Sequence, residues 1–374
     1  MLPLIIISAL YIFIIVLIHQ IGFFTNIKIN KKQYMFILIY FGIAYAFLAA
    51  QIKPPPQWDL FHHYNEINNM RMGGLDYALT QGRYKELFVI NFIYYIVSLF
   101  SYNNLLVFIT VFIEYMIFTY ITCDLKEKYD SEKNTIAFSI NFFLFFALVN
   151  IVLSISGIRN VFAFSIASLA VYMDLFKQRK GILKLLLYII PIFIHPSTII
   201  VPIVRVFVLT PKMYKLAPLL IIWGMFASYI SELLESSSVG ALKTAGYLLN
   251  LYGESSYITD NRLIIVNFIF VSIIMIACFY ILQKKHSNYN KGQLLYITFV
   301  IIYLFVALGS LNNVIIFNRM LYGLAFLILP VIHIILESLS IRIRTLFVLI
   351  CVVFFTGMIM YQGLELFYAI TYYK

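Results

Sequence analysis

An aspartate set three and four residues ahead of two histidines, in Trp58-Asp59-Leu60-Phe61-His62-His63-Tyr64, is a spacing that could move a proton. On a helix, residues three and four apart share a side, so Asp59 could orient His62 or His63 as a general base. The same spacing also fits an aspartate cap followed by interfacial polar residues. A second candidate is His195-Pro196-Ser197, which interrupts apolar sequence on both sides. Proline frees backbone polar groups, and within lipid such a break is tolerated where protein lines a polar cavity. His195 could there donate to a substrate oxygen, act as a base near neutral pH, or be a hydrogen-bonded core histidine.

Three arginines could hold an anion. Gly157-Ile158-Arg159-Asn160 opens an apolar run with no acid near it in sequence, and the planar fork of arginine suits a phosphate or pyrophosphate. A snorkelling side chain at the interface is the competing reading. Asn318-Arg319 repeats the pattern at the start of another run, and Arg205 lies near the end of a third. Glu114, isolated within Leu105–Thr122, could pair with one of them or be buried as a neutral acid. No phosphate loop, Gly-x-Ser-x-Gly elbow or metal-spaced histidines occur, so neither a metal site nor a cofactor is expected. Cys123, Cys278 and Cys351 are isolated and form no disulfide framework.

The elements that must position these groups are membrane helices. Hydrophobic residues make up 63% of the 374, and mean hydropathy is +0.93. Runs such as Leu2–Ile18, Leu263–Leu282 and Leu346–Tyr361 approach or reach the ~20 residues needed to cross ~30 Å of hydrocarbon. The expectation is an all-α, polytopic integral membrane protein forming a single domain over 1–374, since no soluble domain fits between the runs. The first run, with no basic leader and no small-residue cleavage site, reads as a retained helix. Net charge is +11, but most of the 27 lysines and arginines sit in short connections, among them Lys28–Lys32, Lys126–Lys133, Lys177–Lys184, Lys284–Lys291 and Arg342–Arg344. That is the signature of cytoplasmic loops rather than of a nucleic-acid face.

Against 11% charged residues overall, Pro54–Glu86 is conspicuous, with Asp59, Glu66, Arg71, Asp76, Arg83, Lys85 and Glu86 beside its two histidines. Each ionised group at bilayer depth costs roughly 2.5–3.5 kcal/mol, so this segment belongs in water, at the interface or in a protein-lined cavity. Helices are expected at about 2–22, 34–51, 87–100, 104–122, 135–153, 160–176, on both sides of His195-Pro196-Ser197, and at 216–230, 263–282, 293–311, 319–336 and 346–361. They number about 12 or 13, transmembrane or re-entrant. A second polar interval, Ser231–Arg262, carries a short amphipathic helix at Ala241–Tyr252. With the basic clusters inside, loops at about 52–86 and 231–262 fall outside, together with Arg159, His195 and Arg319. Parity fails between Glu86 and Cys123, where two full crossings would leave Lys126–Lys133 external. Either one run there is interfacial or re-entrant, or Pro54–Glu86 dips in once more.

The order Pro, Asp59, Tyr64, then Gly73-Gly74-Leu75, Lys85-Glu86-Leu87, Gly157-Ile158-Arg159-Asn160 with Ala163, a basic turn and His195-Pro196-Ser197 resembles the EpsG-like branch of bacterial repeat-unit polymerases, the Wzy-type enzymes of O-antigen, capsule and exopolysaccharide assembly. The likeness covers roughly residues 35–205, with Asn160 standing where a glutamine is expected. It implies a metal-independent glycosyltransferase with a GT-C-like membrane fold in the bacterial cytoplasmic (inner) membrane. Such an enzyme transfers a growing glycan from undecaprenyl pyrophosphate to a newly flipped lipid-linked oligosaccharide, beside a chain-length regulator and a flippase. On this reading Arg159 and Arg319, supported by Arg205, hold the pyrophosphate, and Asp59 or else His195 deprotonates the acceptor. His62, His63, Tyr64, Arg83 and Glu86, with Tyr247 and Tyr252 of the second loop, would meet the glycan or the interface. A lipid-linked oligosaccharide flippase and a glycan-modifying membrane acyltransferase are the alternatives. A flippase predicts internal repeats, and none is seen.

Overall fold

The computed structural model describes residues 31–54, 58–128, 151–210, 213–238, 261–284, 289–340 and 342–354, with isolated positions between them. Among these it contains helices and no strand. The expected helix at 2–22 and most of 135–153, Ala241–Tyr252 and 355–361 lie outside the described residues.

Five described helices are long and apolar enough to cross a membrane: Leu105–Leu125, Ile158–Phe176, Ile264–Gln283, Lys291–Gly309 and Val314–Ser338. The chain is an all-α, multi-pass membrane protein. Its contacts divide it into two compact units, Met1–Ile166 with Ile328–Lys374, and Ala167–Leu327.

In the first unit, α1 (Lys31–Ala50), α2 (Asp59–Thr80), α3 (Phe88–Ser98) and α4 (Leu105–Lys128) follow one another, then α5 (Ile151–Ser156) and the start of α6 (Ile158–Val171). α1 and α4 pack antiparallel: the Asn104 side chain donates to the Ala50 carbonyl at one end, and the Tyr115 ring packs at a tilt against Phe41 and Tyr45 further along. Gly42 permits this approach, since a Cβ there would lie 2.7 Å from the Tyr115 ring. Glu114 is buried with no arginine against it among the described residues.

Most of the polar segment is helical. α2 buries Leu60, His63, Ile67 and Met70, spaced for one helical face, and rests that face on α3. Gly74, at φ 63° and ψ −157°, breaks α2 in a conformation open essentially to glycine alone. α3 has eleven residues, about 17 Å of helix, too short to cross hydrocarbon by itself. This removes the parity conflict: only α4 is long enough to cross between Glu86 and Cys123, which brings Lys126 to the side on which α1 begins.

The second unit contains the remainder of α6, a π turn (Tyr172–Phe176), α7 (Ile182–Ile189), two short 3₁₀ turns (Ile190–Phe193 and Pro196–Ile199), α8 (Ile200–Leu209), a 3₁₀ stretch (Met213–Phe226), α9 (Ala227–Glu235), α10 (Asn261–Lys284), α11 (Lys291–Gly309) and the first half of α12 (Val314–Ser338). α11 is its core, started by a reciprocal Asn290–Gln293 capping box and buried along nearly its whole length. Tyr296 and Tyr303 donate from it to the Leu327 and Met320 carbonyls, and Trp223 donates to its Val306 carbonyl. The helix expected at 216–230 is therefore realised differently, as 3₁₀ turns around Pro218 followed by α9.

The three native cysteines are buried, so introduced thiols report topology. Asp76→Cys and Tyr102→Cys, both at exposed positions, are expected to react with a membrane-impermeant maleimide from the same side. Lys128→Cys should react only after permeabilisation.

Candidate functional site

In the first unit a charged and aromatic cluster forms where α2, the 81–87 turn, α3 and the start of α6 meet. His63 is buried on the inner face of α2, its Nδ1 3.4 Å from the Tyr84 hydroxyl. Its ring lies 5.5 Å from Tyr94, and Tyr84 meets Tyr94 edge-on at 5.7 Å. The Arg159 guanidinium stacks over Tyr84, 4.2 Å from the ring centroid, with Arg83 on the same ring at 5.5 Å. The Arg83 backbone N–H donates to Glu66 at 2.8 Å, which fastens the turn to α2. Arg159 enters the cluster because Gly157 ends α5 and its carbonyl accepts from Asn160 and Val161, so that α6 begins one residue before the arginine.

Among the described residues no carboxylate lies within ion-pair distance of Arg159, so its charge is held by an aromatic face and is open to an anion. The fully buried Tyr94 hydroxyl and the buried Asn160 amide oxygen lack hydrogen-bond partners among the described residues. Burial, and then the nearby cations Arg159 and Arg83, hold the His63 imidazole well below its usual pKa. Burial raises the Tyr84 phenol, against the pull of both arginines. At neutral pH His63 is thus a neutral imidazole with its Nδ1 facing the Tyr84 hydroxyl.

Asp59 and His62 stand exposed at the start of α2, and among the described residues Asp59 bonds neither histidine. Neither of the Asp59–histidine pairings that the spacing allows forms among the described residues: His63 turns inward to Tyr84, while Asp59 and His62 are exposed. Tyr64 lies on a neighbouring face of α2, Glu86 is exposed, Tyr247 is exposed, and Tyr252 lies outside the described residues.

The second unit holds His195, Arg205 and Arg319. His195 is buried and caps the Pro196–Ile199 turn: its Nδ1 accepts from the Ser197 backbone N–H at 3.3 Å and lies 2.7 Å from the Ser197 hydroxyl. With Nδ1 accepting from the Ser197 backbone N–H, the neutral form of the ring carries its proton on Nε2. Arg205 is engaged. Its Nε donates to Asp174, which also takes Lys184 at 2.6 Å and the Tyr188 hydroxyl at 3.4 Å. Asp174 lies in the last turn of the span Ile158–Phe176, whose first turn holds Arg159. Arg319 is half-buried in α12.

A profile of the EpsG family matches residues 59–373, from the first residue of α2 through most of the chain. The chain belongs to the EpsG family. The match reaches well past the 35–205 region that carried the resemblance and takes in both units, and it places the chain among polysaccharide polymerases in general. No significant match to a curated protein or to a solved structure was found.

Tyr84, Tyr94 and Asp174 are site residues that the spacing of charges did not single out. The tyrosines sit in an exposed turn and an apolar run, where nothing in sequence marks an aromatic cradle. Asp174 carried a signal, an acid inside an apolar stretch. Among the described residues no three histidine, cysteine or acidic side chains converge as metal ligands do.

Because folding depresses the His63 pKa, the unfolded chain binds the extra proton below its ordinary value near 6.5. Stability is then present above that pH and is lost as pH falls below it, with a slope approaching ~1.4 kcal/mol per unit. Thermal unfolding of detergent-solubilised protein between pH 8 and 5 is expected to show this loss, and His63→Phe should flatten it. Separately, Asp174→Asn leaves Lys184 and Arg205 without their carboxylate and is expected to cost about 3 kcal/mol in mixed-micelle unfolding.

Proposed function

We propose that the protein is a glycosyltransferase that polymerises lipid-linked oligosaccharide repeat units on the outer face of a bacterial cytoplasmic membrane, building an O-antigen, capsule or exopolysaccharide. The observation that carries this reading is Arg159: a cation at the entrance of an apolar span, braced on Tyr84, with no carboxylate partner among the described residues. That arrangement suits a pyrophosphate whose lipid tail stays in the bilayer beside it.

In the proposed reaction an acceptor hydroxyl of one undecaprenyl-linked repeat attacks the anomeric carbon of the growing chain. The bond from that carbon to the pyrophosphate oxygen breaks, the undecaprenyl pyrophosphate leaves, and the hydroxyl proton passes to a base. Arg159 meets the charge that develops on the leaving oxygen. Asp59, exposed at the start of α2, remains the first candidate base. His63, facing Tyr84, becomes a second, since an anion bound beside it would offset the arginines that add to burial in holding its ring neutral. Arg319 is kept as a further anion contact, and His195 as a donor to substrate. Arg205 is left with Asp174, which already accepts its Nε–H. The reaction so written uses no metal cofactor. The enzyme would work with a flippase that delivers units and a regulator that limits length.

The test is a glycan ladder from a deletion strain complemented with wild type, Arg159→Ala, Asp59→Ala or His63→Phe, with membrane levels checked by blot. Single-repeat glycan in the deletion and in Arg159→Ala, with a drop of 10²-fold or more in polymer, is the expected result. Accumulation of lipid-linked units on the cytoplasmic side would instead identify a flippase. An intact ladder lacking one substituent would identify an acyltransferase.

A further inference from the structure

A groove of about 570 Å³ lies in the first unit, away from the inner face of α2 that carries His63. One wall is the α2 stripe Phe61, Tyr64, Asn65 and Asn68; the others are the end of α1 with the following 51–54 segment and the Ser101–Asn104 turn between α3 and α4. Its size is within the range of about 300–1,000 Å³ typical of small-molecule sites.

The floor is built. Arg71 donates to the Ser98 and Phe100 carbonyls at 3.2 and 2.7 Å and to the Asn68 and Asn103 amide oxygens at 2.6 Å each. Asn103 in turn donates to Asn68 at 2.9 Å, and Asn104 to the Ala50 carbonyl at 3.2 Å. These bonds tie α1, α2 and the α3–α4 turn together and set the amide planes. They also use Nε, Nη1 and Nη2 of Arg71, so the guanidinium is a brace and presents no open fork to a phosphate.

What remains for a ligand is amide and aromatic. The Asn65 and Gln51 side chains are exposed and make no hydrogen bond among the described residues, and the Asn68 nitrogen and Asn104 oxygen have none either. Phe61 and the largely exposed Tyr102 offer flat apolar faces. No carboxylate lines the groove, and its charged residues are Lys53 and Arg71. Amides supply donor and acceptor on one plane, matching neighbouring hydroxyls that each donate and accept, while an aromatic face suits the C–H face of a pyranose ring.

We infer that this groove is a sugar-chain subsite, holding the glycan part of a substrate while the pyrophosphate is held at Arg159. The inference rests on the polymerase reading for the identity of its ligand. The probe is a set of phosphate-free oligosaccharides of two to four repeats, cut from the host strain's own polysaccharide. Binding to full-length protein in nanodiscs is followed by saturation-transfer NMR. The double variant Gln51→Ala/Asn65→Ala, at exposed positions whose side chains bond nothing described, should bind about ten-fold more weakly. Its melting temperature should be unchanged and its ladder shifted to shorter chains. Arg159→Ala should bind the oligosaccharides as wild type does, and inorganic pyrophosphate should not displace them. Unchanged binding in the double variant, or displacement by pyrophosphate, overturns the groove assignment. An intact ladder in the deletion strain overturns the polymerase reading, and weakened binding in the double variant would still establish a glycan site.

Discussion

The hydrocarbon layer is about 30 Å thick, and α3, with eleven residues, covers little more than half of it. Everything between the end of α1 and the start of α4 must therefore stay on one side of the membrane or at its edge. That keeps about fifty residues, including the long polar interval Pro54–Glu86, next to the adjoining ends of α1 and α4. The cost of burying ionised groups in lipid makes this arrangement obligatory once α3 is too short to cross. α2 then folds as an amphipathic helix whose apolar stripe needs a partner, and α3 is the partner it finds.

That packing separates two chemistries along one helix. The inner face of α2 brings His63 against Tyr84 and Tyr94 and under Arg159, where burial and positive charge keep the imidazole neutral. A neighbouring face carries Tyr64, Asn65 and Asn68 toward the amide-lined groove braced by Arg71. Both arginines are fixed, in different ways. Arg71 is consumed by carbonyls and amides, whereas Arg159 rests on a π face that leaves its N–H edges available. The same residue type thus serves as scaffold in one place and as a candidate anion contact in the other, and the difference lies in how many acceptors the backbone supplies nearby.

The second unit shows the same economy. Asp174 sits at the end of a span in a π turn, and Lys184, Arg205 and Tyr188 converge on it. An arginine and a carboxylate that would each be costly near lipid offset one another there. His195 likewise uses one ring nitrogen to cap the turn that Pro196 forces, which determines what its other nitrogen carries.

Fold class, membrane residence, the basic connections and the break at His195-Pro196-Ser197 were legible in the amino-acid order, because each depends on local hydropathy, charge and backbone chemistry. So was the prominence of Asp59–Tyr64, Arg159 and His195 as polar groups where apolar ones are expected. The parity of the 87–122 region was not, because hydropathy marks 87–100 as apolar without saying where its helix stops. Nor were the partners. Asp59 and His63 are four apart in sequence, yet the inward turn of α2 hands His63 to Tyr84, twenty-one residues away. Arg205 meets an acid thirty-one residues before it. Composition and periodicity determined that this chain spans a membrane and which residues are chemically out of place there. Which of those residues face each other was decided by tertiary packing alone, because pairing depends on helix rotation and close approach, and neither is encoded in spacing along the chain.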